Sequence, residues 1–118
     1  MKRTILLILV LMTVMLLATS ASAQVNARGR LTALRVHDVG TGFGPSTDFI
    51  DVEVVIALDS QPGRFFGFQL RNDAKLPARQ GMLDLLRDAF ERNLIVNIDF
   101  FQVPGKNNNI LFRVWLTR

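Results

Sequence analysis

The chain has 118 residues, with 14 basic, 10 acidic, one histidine and no cysteine. The absence of cysteine excludes a disulfide staple and a lipid attached at a lipobox cysteine. The formal net charge of +4 is too mild to argue for nucleic acid as a partner.

The N-terminal residues point to export. Lys2 and Arg3 form a basic n-region, Ile5 to Leu17 is apolar apart from Thr13, and Ala21 and Ala23 stand at A-x-A positions. This is the pattern of a cleaved secretory signal peptide over 1–23, and it predicts a periplasmic or secreted protein. The apolar run is short for a membrane span, which needs roughly 20 residues, so no membrane association is expected after cleavage. Cleavage leaves 95 residues with 12 basic and 10 acidic side chains, a net charge of +2. A chain of that size forms one domain and buries roughly 60–65% of its unfolded surface, so its apolar core or its assembly must supply the stability.

Residues 24–29 are polar and read as a short, loose leader before a single domain over 30–118. "RLTALRVHD" alternates as a strand, with Thr32, Leu34 and Val36 on one face and Ala33, Arg35 and His37 on the other. Gly40 to Thr47 is a loop rich in glycine and hydroxyl residues. "DFIDVEVVIALD" is the most regular strand: Ile50, Val52, Val54, Ile56 and Leu58 share one face, and Asp51, Glu53 and Val55 share a wetter one. Pro62-Gly63 fits a type II turn. "RFFGFQLR" follows, with Phe66, Phe68 and Leu70 inward and Phe65, Gly67 and Gln69 outward.

The period then changes. "PARQGMLDLLRDAFERN" carries Met82, Leu83, Leu86, Ala89 and Phe90 at helical spacing, with Pro77 in the first turn and Asn93 as the stop. "LIVNIDFFQV" puts Leu94, Val96, Ile98 and Phe100 on one strand face, and "NILFRVWLTR" puts Ile110, Phe112, Val114 and Leu116 on one face with Leu111, Arg113 and Trp115 opposite. A turn, "PGKNNN", joins them. The predicted class is therefore mainly β (α+β): an OB-fold-like five-stranded Greek-key barrel, order β-β-β-α-β-β, with the helix between strands three and four.

On three features the chain resembles the OB-fold B subunits of secreted bacterial A-B toxins, of the subtilase-cytotoxin type. They are the signal peptide leading directly into a small chain, the stretch "LTALRVHDVGTG", and the helix running into a strand in "MLDLLRDAFERNLIVNIDF". The resemblance implies a non-enzymatic, glycan-binding homo-oligomer, a pentameric ring with helices lining a central pore. Subunits of that family carry a disulfide and use tyrosine in their sugar sites. This chain has neither residue type, so no sugar-binding position is carried over.

Chemistry is sparsely equipped. His37 is the sole histidine and reads as a surface or edge residue, with no nucleophile placed beside it. No enzymatic activity, cofactor or metal is expected. Asp48, Asp51 and Glu53 could offer oxygens to calcium, but a solvated sheet face is the plainer reading. The glycine run Gly40-Thr-Gly42-Phe-Gly44 does not read as a phosphate loop. It opens a strand instead of a helix, and its third glycine comes one residue early for G-x-G-x-x-G.

Ligand binding is expected instead at two loops and an outward aromatic face, where OB-folds commonly bind. The candidate ligand-binding residues are Thr41, Phe43 and Ser46 on the first loop, and Glu53, Phe65 and Gln69 on strands two and three. Lys106, Asn107 and Asn108 on the last turn and Trp115 on the last strand complete the set. The expected partner is a glycan or another polar small molecule. The alternative is an envelope interaction or structural module that buries its aromatic face against a partner.

Overall fold

The computed structural model describes residues 22–118. Most of the expected signal peptide lies outside the described residues, and its predicted cleavage point falls at the first residue of a strand. The elements are β1 (Ala23–Gly29), β2 (Leu31–Val36), β3 (Val54–Leu58), β4 (Phe65–Phe68), α1 (Leu76–Glu91), β5 (Val96–Gln102) and β6 (Asn108–Leu116). Among the described residues the protein is mainly β with one helix, which follows the fourth strand. It has six strands where five were expected, and they form one mixed sheet in the order β1-β5-β6-β4-β3-β2. All ladders are antiparallel except β4 with β6.

The extra strand is the segment expected to be a loose leader. Ala23, Val25 and Ala27 alternate there with Gln24, Asn26 and Arg28, a period-two pattern carried by small side chains, and the backbone pairs with β5 along its whole length, from Ala23↔Gln102 to Gly29↔Val96. Ala27 is its one buried side chain, and Asn26 adds a hydrogen bond from Nδ2 to the Ile98 carbonyl. No ladder joins β1 to β2, yet the two edge strands are consecutive in the chain, separated only by Arg30. Asp59 clamps that junction. Its carboxylate accepts the Arg30 N–H at 2.9 Å, and its own N–H donates to the Arg30 carbonyl. Gly29 leaves room for this, because a Cβ there would stand 2.5 Å from Asp59 Oδ1.

The main core lies between the sheet and α1. Val54, Ile56, Leu58, Phe66, Phe68, Val96, Ile98, Phe100 and Leu111 pack with Leu86 and Ala89 of the helix. The Phe66 and Phe100 rings sit 4.7 Å apart at a tilt. Each such fully buried ring contributes about 1.5–3 kcal/mol relative to exposure. Pro77 opens the helix and Asn93 stops it with φ of 52°, both as the sequence predicts. Phe90 is the exception to the predicted stripe and is exposed.

Two irregularities redirect side chains. The long second strand is regular only over Val54–Leu58. Ile50 and Val52, read as sharing its core face, pack instead with Val55, Phe43 and Phe65 in a second, smaller cluster. Glu53 and Val55, predicted on a wet face, are thereby buried. In β6 the pairing slips between Asp99↔Arg113 and Phe100↔Leu111, so Phe112 is the additional residue. A bulge of this kind reverses which side chains point inward. Leu111 and Val114 are buried, while Ile110, expected inside, is exposed. β2 slips likewise between Leu31 and Ala33, and its Val36 is exposed. Gly67 fits where β4 meets the smaller cluster, since a Cβ there would lie 2.5 Å from Val52 Cγ2 and 2.7 Å from the Val54 carbonyl.

Candidate functional site

The loop before β3 is a folded unit. Phe43 and Ile50 exchange both backbone hydrogen bonds at 2.9 Å, and Pro45 O accepts the Asp48 N–H inside the turn. Gly42 and Gly44 have φ of 62° and 97°, a left-handed region that glycine enters at little cost. At Gly42 a Cβ would also strike the Phe49 ring, and at Gly44 the Asp48 carbonyl. The glycines therefore let the loop close on itself.

Asp48 ties this loop to the last hairpin. Its Oδ2 accepts the Asn107 N–H at 3.1 Å and its Oδ1 the Asn108 N–H at 3.0 Å. Asn108 Nδ2 donates back to the Asp48 carbonyl at 2.8 Å, and Lys106 Nζ donates to the Phe49 carbonyl. On the hairpin itself, the buried Asn109 amide accepts the Val103 N–H at 3.0 Å and donates to the Lys106 carbonyl. The two loops are thus adjacent, as expected. The cleft they form encloses about 400 Å³, lined by Phe49, Ile50, Asp51, Phe101, Val103, Lys106 and Ile110 among others. That volume is within the range of small-molecule sites.

No protein-family model, curated protein or solved structure matches this chain.

The predicted site residues separate into three groups. Lys106 and Asn108 line the cleft, and Asn107, Ser46 and Thr41 are exposed on the loops beside it. Thr41 Oγ1 donates to the Asp38 carbonyl, an internal turn contact. Phe43 and Phe65 are packed: their rings lie 4.9 Å apart over the smaller cluster, so Phe43 is not a free loop tip. Glu53 is consumed by structure. It is 2% exposed, and its Oε1 accepts the Leu70 N–H at 3.1 Å and the Arg71 Nε–H at 2.8 Å. Gln69 Nε2 donates to the Asp51 carbonyl. Trp115 is half-buried opposite Asn97, at the far end of the β5–β6 ladder from the loops.

Asp51 and Glu53 both contact the Arg71 guanidinium, at 2.8 Å each. Hydrogen bonds first to Glu53 and then to Asp51 raise the Arg71 pKa above its already high ordinary value. The positive charge a calcium ion would bring is therefore already supplied by the chain. His37 is more enclosed than a surface residue. Its Nδ1 stands 3.0 Å from the Gly42 carbonyl, which requires Nδ1 to carry the proton, and its Nε2 is buried without a protein partner.

Sequence reading missed Phe49, Asp51, Phe101, Val103 and Ile110 as cleft residues. Asp48 carried a recognisable signal of another kind. An aspartate in a "PSTD" turn before a strand is suited to accept backbone N–H groups. Which N–H groups it meets depends on a contact almost 60 residues away along the chain.

Proposed function

We propose that this chain is an exported, non-enzymatic binding module that takes a glycan or another polar ligand in the cleft between the two loops. The observation that carries this reading is the double clamp of Asp48 onto Asn107 and Asn108, which holds the cleft walls in a fixed relation. A preformed cleft spares the bound state much of the ordering cost of loops. Its composition suits a sugar. Phe49 is 41% exposed and presents an aromatic face to C–H groups, while Asp51 and Lys106 offer hydrogen bonds to hydroxyls.

If β1, Arg30 and β2 act as one interrupted strand, the remaining order is that of an OB-like barrel with its helix after the third strand. The ligand cleft then lies at the loops such barrels commonly use. Likeness to a toxin B subunit, and with it a pentamer, follows from the sequence resemblance and from this barrel reading together.

Phe49→Ala is the direct test. On a glycan array followed by titration of the best hit, it is expected to weaken binding at least about tenfold with the fold retained. Unchanged binding would remove the cleft from the account.

A second reading is supported by an apolar patch where β5 and β6 meet the first turns of α1. Phe101 and Phe112 stack at 4.4 Å beside exposed Ile110 and Val103. Such a face suits an envelope interaction or structural module, or the seam of an oligomer. Light scattering on the exported chain separates these. The toxin-like reading expects a pentamer, and a monomer that binds no glycan would favour the interaction module.

A further inference from the structure

The end of the sheet farthest from the two-loop cleft holds a second cavity, of about 480 Å³. The register places it. The cleft lies where Phe101 meets Ile110, and this cavity lies where Val96 meets Leu116 and Gly29. Four exposed arginines from three stretches of chain line it: Arg28 on β1 with Arg30 at the adjoining junction, Arg92 at the helix C-terminus and Arg118 after β6. No acidic side chain lines it. Among the described residues, Arg71, Arg79, Arg87 and Arg113 each have a carboxylate within 4 Å, while the four cavity arginines, like Arg35 and Arg64, have none. Arg30 is partly accounted for, because its Nε donates to the Asn93 carbonyl beyond the helix end. Among the described residues, no hydrogen bond or ion pair uses the guanidinium groups of Arg28 and Arg92.

Like charges gathered around a concavity repel one another, and an anion relieves that repulsion. Guanidinium forks arriving from several directions suit a tetrahedral group with several peripheral oxygens better than a planar carboxylate. The cavity is also larger than one such group, and Leu94, Ile95 and Leu116 give it an apolar wall. We propose that it is an oxyanion site for a phosphoryl or sulfuryl group carried on a larger body. This is independent of the two-loop cleft and stands whether or not that cleft binds a glycan.

The test uses the purified exported chain and two probes. One is inorganic pyrophosphate, followed by calorimetric titration at low salt. The other is phosphatidylcholine vesicles containing phosphatidic acid, followed by co-sedimentation. The wild-type chain is expected to bind at least one probe, and Arg28→Glu/Arg92→Glu to weaken that binding at least about tenfold with an unchanged melting curve. Arg28→Lys/Arg92→Lys keeps the charge but loses the forks. It is expected to bind more weakly than wild type and more tightly than the glutamate variant, and it keeps the test open should the latter fold poorly. Binding of pyrophosphate assigns a soluble anion, and binding of vesicles alone assigns a lipid headgroup. Absence of binding to both probes, or equal binding by wild type and both variants, would overturn the proposal.

Discussion

Asp48→Ala is expected to cost about 1–3 kcal/mol of folding stability, because it leaves the buried Asn108 N–H without an acceptor and the exposed Asn107 N–H to water. Both carboxylate oxygens are in use, on the Asn107 and Asn108 N–H groups, and Asn108 is buried. The substitution should also separate the loops and so abolish ligand binding in the cleft. Asp48→Asn keeps one acceptor oxygen and should lose roughly half as much. Urea titration reads both values from the shift in midpoint. A loss below about 0.5 kcal/mol for Asp48→Ala would mean that water replaces the carboxylate without penalty and that the clamp does not hold the cleft.

The second large effect concerns Glu53, a charged side chain in a region otherwise packed with valine and phenylalanine. Its burial is tolerable only because Arg71 and the Leu70 N–H meet its oxygens. Glu53→Ala is expected to cost about 2–4 kcal/mol, toward the lower side for a broken buried pair, since Arg71 is partly exposed and keeps Asp51. Glu53→Gln keeps the shape and one acceptor and should cost about 1–2 kcal/mol. No loss in Glu53→Gln would show that the ionic character of the pair contributes nothing. The effect should reach the glycine loop as well, because the Glu53 carbonyl accepts the His37 N–H at 2.7 Å.

Much of the architecture is legible in the sequence where one periodicity dominates. The inward pattern of β5, the helix with Pro77 and Asn93 at its ends, and the Phe66 and Phe68 face of β4 all follow from spacing alone. The glycine loop also proved a strand-connecting turn, with positive φ at Gly40, Gly42 and Gly44. The rest fails for identifiable reasons. β1 alternates at period two, but with alanine and a single valine as its apolar residues, so the signal is weak and the stretch reads as a leader. In β6, Ile110, Leu111 and Phe112 are consecutive and apolar, and only the bulge decides which of them is buried. In the second strand, strict alternation through Glu53 hides the point where the chain changes clusters.

The predicted site was legible as a pair of neighbouring loops and not as a set of side chains. Glycine and asparagine content marked both segments. Polar residues there were read as ligand contacts, yet Asn108 and Glu53 are spent on the protein itself. The aromatics divide the same way. Phe65, read as outward, packs on Phe43, while Phe101 reaches the cleft. Sequence spacing cannot separate a polar group that closes a turn from one that waits for a ligand, because both need the same residue types.

The most direct measurement of the central claim compares the wild-type chain, Phe49→Ala and Arg28→Glu/Arg92→Glu side by side on a neutral-glycan array. Binding by the wild type and the arginine variant, with loss in Phe49→Ala, is the predicted result. Equal binding by all three, or binding by none, would contradict a ligand cleft between the two loops.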